Sequence, residues 1–211
     1  MKLIFATHNP GKVKEMRALL QGFDVEVLSA EQAGITEDVV EDGKTFEENA
    51  LKKARFVAEM SGKWALADDS GLCIKALDGA PGIHSARWAG EAVLPEDLAA
   101  YTLKKMKAIP KEKRQAHFES TLVLMASDGR HWIFTGLVNG VISDKARGTA
   151  LPKLPYDLIF IPEGRNKTFA EMSEEEKNSM SHRGRAFLKL KKFLKNKMQL
   201  RDLRIEQLNN K

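Results

Sequence analysis

Apolar residues recur at two periods along the chain, and polar breaks separate them. Leu3-Ile4-Phe5-Ala6 is a short apolar run. Thr7 to Lys12 is polar, and Val13, Met16, Leu19 and Leu20 then return at helical spacing. This pattern predicts a buried strand, a polar turn and an amphipathic helix. Val25 to Leu28 predicts a second short strand. Thr45-Phe46-Glu47-Glu48 reads as a capping box opening a helix with Phe46, Ala50, Ala54, Val57 and Ala58 on its apolar stripe.

Trp64-Ala65-Leu66-Ala67 reads as a buried strand that ends in the acids Asp68 and Asp69. Pro95 stands near the start of a helix whose apolar face has Leu98, Leu103 and Met106. The segments 117–126 and 131–138 flank Ser127-Asp128-Gly129-Arg130, an antiparallel hairpin pattern. Leu158 to Ile161 predicts a strand stopped by Pro162. Ser173 with Glu176 forms a second capping box, and Ser181 caps a last helix with Ala186, Phe187, Leu190 and Leu194 on one side.

Strand and helix patterns alternate early and give way to a β-rich middle, which predicts an α/β fold. No linker or repeat divides the 211 residues. One folding unit over 1–196 is expected, with two lobes around a cleft and a basic extension over 197–211.

Composition narrows the function. No apolar run approaches the roughly 18 residues of a membrane span. The first six residues are too short for a signal peptide. Cys73 is the only cysteine, so no intramolecular disulfide forms, and a cytoplasmic location is expected. From Lys177 to Lys211 there are eleven Lys or Arg against Asp202 and Glu206. Such asymmetry suits polyanions, either nucleic acid or phosphorylated small molecules. After Lys189 a solvated helix face is the better reading than a nucleic-acid surface.

Candidate chemistry clusters at four places. A helix start after a strand presents free N–H groups to an anion, Gly11 permits close backbone approach, and Lys12 adds a cation. An ordinary βα turn with a surface lysine has the same pattern, and the Walker A spacing is absent. Asp68-Asp69-Ser70 can hold Mg²⁺ or activate water, or can form an Asx turn at a strand end. Asp38, Glu41 and Asp42 can supply another metal ligand or form a charged loop. Lys177, His182 and Arg183 offer donors suited to a carbonyl-rich base or a phosphate, or mark a basic helix end. His8, His117 and His131 lack ligand-like spacing with one another or with Cys73, so no zinc site is expected. Trp132 and Phe134 alternate on a strand in the manner of core packing.

From Lys2 to Leu194 the chain resembles the inosine triphosphate pyrophosphatase family, the XTP/dITP diphosphatases. The resemblance rests on THNPGKVKE, EDGKTFEENALKKA, ALADDSGLCIKALDGAPGIHSARWAG and KTFAEMSEEEKNSMSHRGRA. It implies a mixed twisted sheet with helices, two lobes around a central nucleotide-binding cleft, and a homodimer. It implies Mg²⁺-dependent hydrolysis of ITP, dITP and XTP to monophosphate and pyrophosphate. Within it, Thr7, Asn9 and Lys12 fall at the triphosphate, with His8, Pro10 and Gly11 on the same turn. Asp69 falls at the general base and metal site, beside Asp68 and Ser70. Glu41 is the best match for the second metal carboxylate, with Asp38 and Asp42 close by. Lys177, His182 and Arg183 fall at the base.

The chain departs from the family at Lys153-Leu154-Pro155-Tyr156-Asp157-Leu158, where Gly-Phe-Gly-Tyr-Asp-Pro is usual. Only Tyr156 and Asp157 persist, and Leu154 removes a stacking ring. His84 stands where the family commonly has tyrosine. The alternatives left open are a related pyrophosphatase for modified pyrimidine nucleotides, or a nucleotide- or RNA-binding protein with weakened catalysis.

Overall fold

In this computed structural model, residues 1–8, 10–90, 97–151 and 154–209 are described. Six strands form one mixed sheet: β1 (Lys2–Phe5), β2 (Glu26–Ser29), β3 (Trp64–Ile74), β4 (Gln115–Met125), β5 (His131–Ile142) and β6 (Phe160–Pro162). Their order is β2-β1-β3-β4-β5-β6. β1 pairs in parallel with β2 and β3, and the later pairs are antiparallel. The helices are α1 (Pro10–Leu19), α2 (Phe46–Ser61), α3 (Leu98–Lys105), α4 (Glu174–Met180) and α5 (His182–Asn209). The α/β fold expected from the pattern is the one observed. Among the described residues no helix is long and apolar enough to cross a membrane.

Local signals explain most element starts. Thr45 Oγ1 accepts from the Glu48 amide at 3.1 Å, and Ser173 Oγ accepts from the Glu176 amide at 3.1 Å. Both satisfy helix N–H groups that have no partner within the helix. Ser181 Oγ does the same for the Gly184 amide. The hairpin places Met125 opposite His131, so 126–130 form its turn. Pro95 lies outside the described residues, but Leu98 and Met106 of its predicted helix are buried.

One strand corrects the sequence reading. β3 does not end at Ala67; it continues through the acids to Ile74. Strand alternation then sends Asp68 and Asp69 to opposite faces of the sheet. Charges survive inside a strand because partners from other elements reach them, as described below.

Two core clusters sandwich one end of the sheet. On one face Leu3, Phe5, Leu66 and Leu122 pack with Val13 and Met16 of α1 and with Phe187, Leu190 and Leu194 of α5. On the other, Ile4, Ala65, Ala67 and Val123 pack against Ala50, Ala54 and Val57 of α2. Burying each large side chain removes it from water at roughly 1.5–3 kcal/mol. A third cluster, around Leu72, Phe118, Tyr156, Phe160 and Phe169, holds the other end. Trp132 stacks on Trp64 and Phe134 is buried, the core role expected for both. Gly136 lets the start of α5 lie against β5, where a Cβ would collide with the His182 carbonyl oxygen.

Candidate active site

Between these clusters lies a cavity of about 820 Å³. Lys12, Glu41, Lys53, Asp69 and Ser70 line it near the parallel strands. Leu154, Pro155, Tyr156, Asp157, Lys177, His182 and Arg183 line it toward α4 and α5. Residues from four predicted groups thus meet in one space.

Lys12 projects from the first turn of α1. Its Nζ donates to both Asp68 carboxylate oxygens, at 2.9 and 2.8 Å. Asp68 is only 2% exposed. Burial opposes its ionisation, but Lys12, Arg183 and Lys53 outweigh burial and hold its pKa at about 2. Asp68 is therefore an anion that anchors lysine, not a cavity-lining base.

Asp69 faces the α2 side. Its Oδ2 accepts from Asn49 Nδ2 at 3.0 Å, and its Oδ1 accepts from the Ser70 amide at 2.9 Å. Burial raises its pKa above the ordinary carboxylate value, Lys53 and Asn49 pull against that, and Glu41 adds to it. Two carboxylates therefore sense one another across the cavity wall.

Glu41 Oε1 accepts from Lys53 Nζ at 2.8 Å. Burial disfavours the charge on Lys53, yet Asp68, Asp69 and Glu41 together raise its pKa. The neighbouring acids are engaged elsewhere. Asp38 Oδ1 lies 3.2 Å from His8 Nε2, and Asp42 pairs with Lys52. Of the three, Glu41 is the one lining the cavity. Thr7 and His8 lie in the loop after β1, and Pro10 and Gly11 open α1. Asn9 lies outside the described residues.

Among the described residues no three acidic, histidine or cysteine side chains form a closed metal cage. Glu41 and Asp69 do form a two-carboxylate wall. Mg²⁺ commonly takes one or two carboxylates and completes its shell with phosphates and water. The donor set fits an ion shared with a phosphorylated substrate.

The far end is built differently. Asp157, 5% exposed, pairs with Lys177, and burial still keeps its pKa above the usual value. The His182 ring stacks on Phe118 with centroids 4.7 Å apart and planes 9° apart. Burial, then Arg183 and Lys177, push its pKa well below 6.5. The imidazole is neutral, offering one donor and one acceptor. Its Nδ1 is buried with no hydrogen-bond partner among the described residues. Tyr156 donates its hydroxyl to the Ser85 carbonyl at 2.7 Å, so its ring, not its hydroxyl, is what faces the cavity.

Sequence reasoning missed Lys53 and Asn49. A signal was present. Both stand at 46–49–53–57 spacing on the buried side of α2, where polar side chains interrupt an apolar stripe.

The Ham1 family model matches residues 3–193. The chain is 45% identical over 193 residues to a dITP/XTP pyrophosphatase of Geobacter sulfurreducens, covering 92% of this chain and 96% of that protein. It is 43% identical over 191 residues to a dITP/XTP pyrophosphatase of Bacillus subtilis, covering 90% and 96%. The solved Staphylococcus aureus Ham1 protein superposes with a TM-score of 0.86 at 34% identity, covering 93% of this chain and all of that one. With sequence and fold matched over nine-tenths of its length, this chain belongs to the Ham1 family.

Proposed function

We propose that the chain hydrolyses deaminated purine nucleoside triphosphates (ITP, dITP and XTP) to the monophosphate and pyrophosphate. The names of its relatives support this substrate class. The observation that carries it is Asp69, a tethered carboxylate of raised pKa, lining a cavity beside Lys12 and Lys53. No covalent nucleophile is needed; positioning, charge neutralisation and an activated water suffice.

In this reading the triphosphate lies along Lys12 and Lys53, with Thr7, His8, Asn9, Pro10, Gly11 and Ser70 around it. Asp69 takes the proton of a water attacking the α-phosphorus. Glu41 and Asp69 are the carboxylates that would hold Mg²⁺, which supplies charge neutralisation on the phosphate chain. Lys12 shifts its hydrogen bonding from Asp68 toward phosphate while Asp68 keeps it charged. The base lies toward Lys177, His182 and Arg183, flanked by Leu154, Pro155, Tyr156 and Asp157. Donors that meet a 6-oxo group face a 6-amino group in ATP, leaving a buried donor unpaired at about 1–3 kcal/mol each. The core clusters serve as two lobes around the substrate.

A homodimer completes the proposal. Ile133, Leu137 and Val141 expose one apolar row along β5, a surface suited to a second copy. The lone Cys73 suits a reducing cytoplasm. The test is product release from ITP, XTP, ATP, UTP and dTTP with Mg²⁺. Pyrophosphate from ITP and XTP, well above the others, supports the reading. Preference for UTP or dTTP replaces it with a pyrimidine reading, and no turnover replaces it with binding alone.

A further inference from the structure

Asn49 is fully buried on the otherwise apolar side of α2, and both ends of its amide are engaged. Nδ2 donates to Asp69 Oδ2 at 3.0 Å, and Oδ1 accepts from the Gly43 amide at 2.8 Å. Gly43 lies two residues after Glu41. One amide therefore joins the loop bearing Glu41 to the strand bearing Asp69. The other Asp69 oxygen is held by the Ser70 amide, so neither oxygen can rotate without breaking a hydrogen bond.

Two further features belong to the same bridge. Lys53, one helical turn after Asn49, grips Glu41 from the same helix. Gly43 approaches so closely that a Cβ there would lie 2.6 Å from Asn49 Oδ1 and 2.8 Å from Glu48 Cβ. Glycine at this position is what lets the loop reach the amide.

We infer that Asn49 is a positioning residue for catalysis: its amide sets the orientation of Asp69 and its spacing from the Glu41 loop. This rests on the reading of Asp69 as the base. An alanine leaves Asp69 free to swing and unties the loop. Misplacement of a reacting group by an ångström can lower a rate about a hundredfold. The amide is fully buried and bonded at both ends, so its effect runs through Asp69 and the spacing of Asp69 from the Glu41 loop.

The test is a double-mutant cycle on ITP hydrolysis with Asn49→Ala, Asp69→Asn and the combination. We expect Asn49→Ala to lower kcat about ten- to hundredfold, with KM changed by less than about threefold. In the Asp69→Asn background the same change should alter the residual rate by less than about twofold. A residue that only supports folding would scale both backgrounds equally, and that result overturns the inference. So does a normal kcat in Asn49→Ala. If Asn49→Ala does not fold, Gly43→Ala carries the same cycle, since its Cβ displaces the amide with Asn49 intact. The outcomes separate cleanly. Full activity in Asp69→Asn removes the base assignment itself, whereas an inactive Asp69→Asn beside a fully active Asn49→Ala removes only the positioning role.

Discussion

Asp68 and Asp157 are both buried carboxylates facing a lysine, one at each end of the cavity. Burial pushes both pKa values up. At Asp68 the combined field of Lys12, Arg183 and Lys53 wins, and the carboxyl is an anion with a pKa of about 2. At Asp157 Lys177 and Arg183 do not fully offset burial, and the pKa stays raised. The same pair of residue types is thus a permanent charge at the proposed phosphate end and a softer contact at the proposed base end. In the proposed function a phosphate end needs cations held in place whatever the ligand does, and a base end needs donors whose partner can yield when a base arrives.

The largest expected effect falls on the phosphate end. Asp69→Asn should lower kcat about 10²- to 10⁴-fold, the usual range for loss of a general base. The check is steady-state turnover of ITP together with a circular dichroism spectrum. Retention of a third of the activity in folded protein removes Asp69 from the base role.

The two lysines sharpen the contrast. Lys12→Ala strands the Asp68 anion and should lower unfolding stability by about 3 kcal/mol. It should also weaken ITP binding more than IMP binding. Lys177→Ala should be milder, about 1–2 kcal/mol, because the raised pKa of Asp157 lets it take a proton instead. Urea unfolding at pH 7 compares them, and equal losses would erase the distinction.

Much of this architecture was legible in the chain. The first strand, polar turn and helix, the N-caps at Thr45 and Ser173, the hairpin and the apolar side of α5 follow from local spacing. The course of β3 did not. An acid pair after Ala67 reads as a strand end, because burying a carboxylate is costly unless it is paired. The pairing comes from Lys12, fifty-six positions away, and from Asn49 on another element. Tyr156 was legible as a site residue, but its hydroxyl bond to Ser85 spans 71 positions. Local periodicity carries no information about such contacts. Asn49 and Lys53 were readable only as polar interruptions of an apolar stripe.

A smaller effect belongs to the altered loop. Leu154 lines the cavity at the position where the family resemblance implies a stacking ring, and base–aromatic stacking contributes about 1–3 kcal/mol. Leu154→Phe with Pro155→Gly should raise kcat/KM for ITP about tenfold, at the modest end of that range. No gain in folded protein would mean the loop contacts something other than the base.

The smallest effect is on stability against pH. The folded-state pKa of His182 is depressed below 6.5. Below that pH the unfolded chain binds a proton the folded chain refuses, so stability falls as pH falls. By roughly pH 5.8 the loss should reach about 1 kcal/mol. Urea unfolding of wild type and His182→Gln at pH 7.5 and 5.8 isolates it as the difference between the two proteins. An equal pH dependence in both would give His182 an ordinary pKa.

The most direct test of the division between the two ends is the ratio of kcat/KM for ITP to that for ATP. It should be measured at fixed Mg²⁺ and pH in wild type, Asp69→Asn and Lys177→Ala. The account predicts that Asp69→Asn lowers both values by one factor and leaves the ratio unchanged, while Lys177→Ala moves the ratio toward one. A ratio that shifts in Asp69→Asn and stays fixed in Lys177→Ala would contradict it.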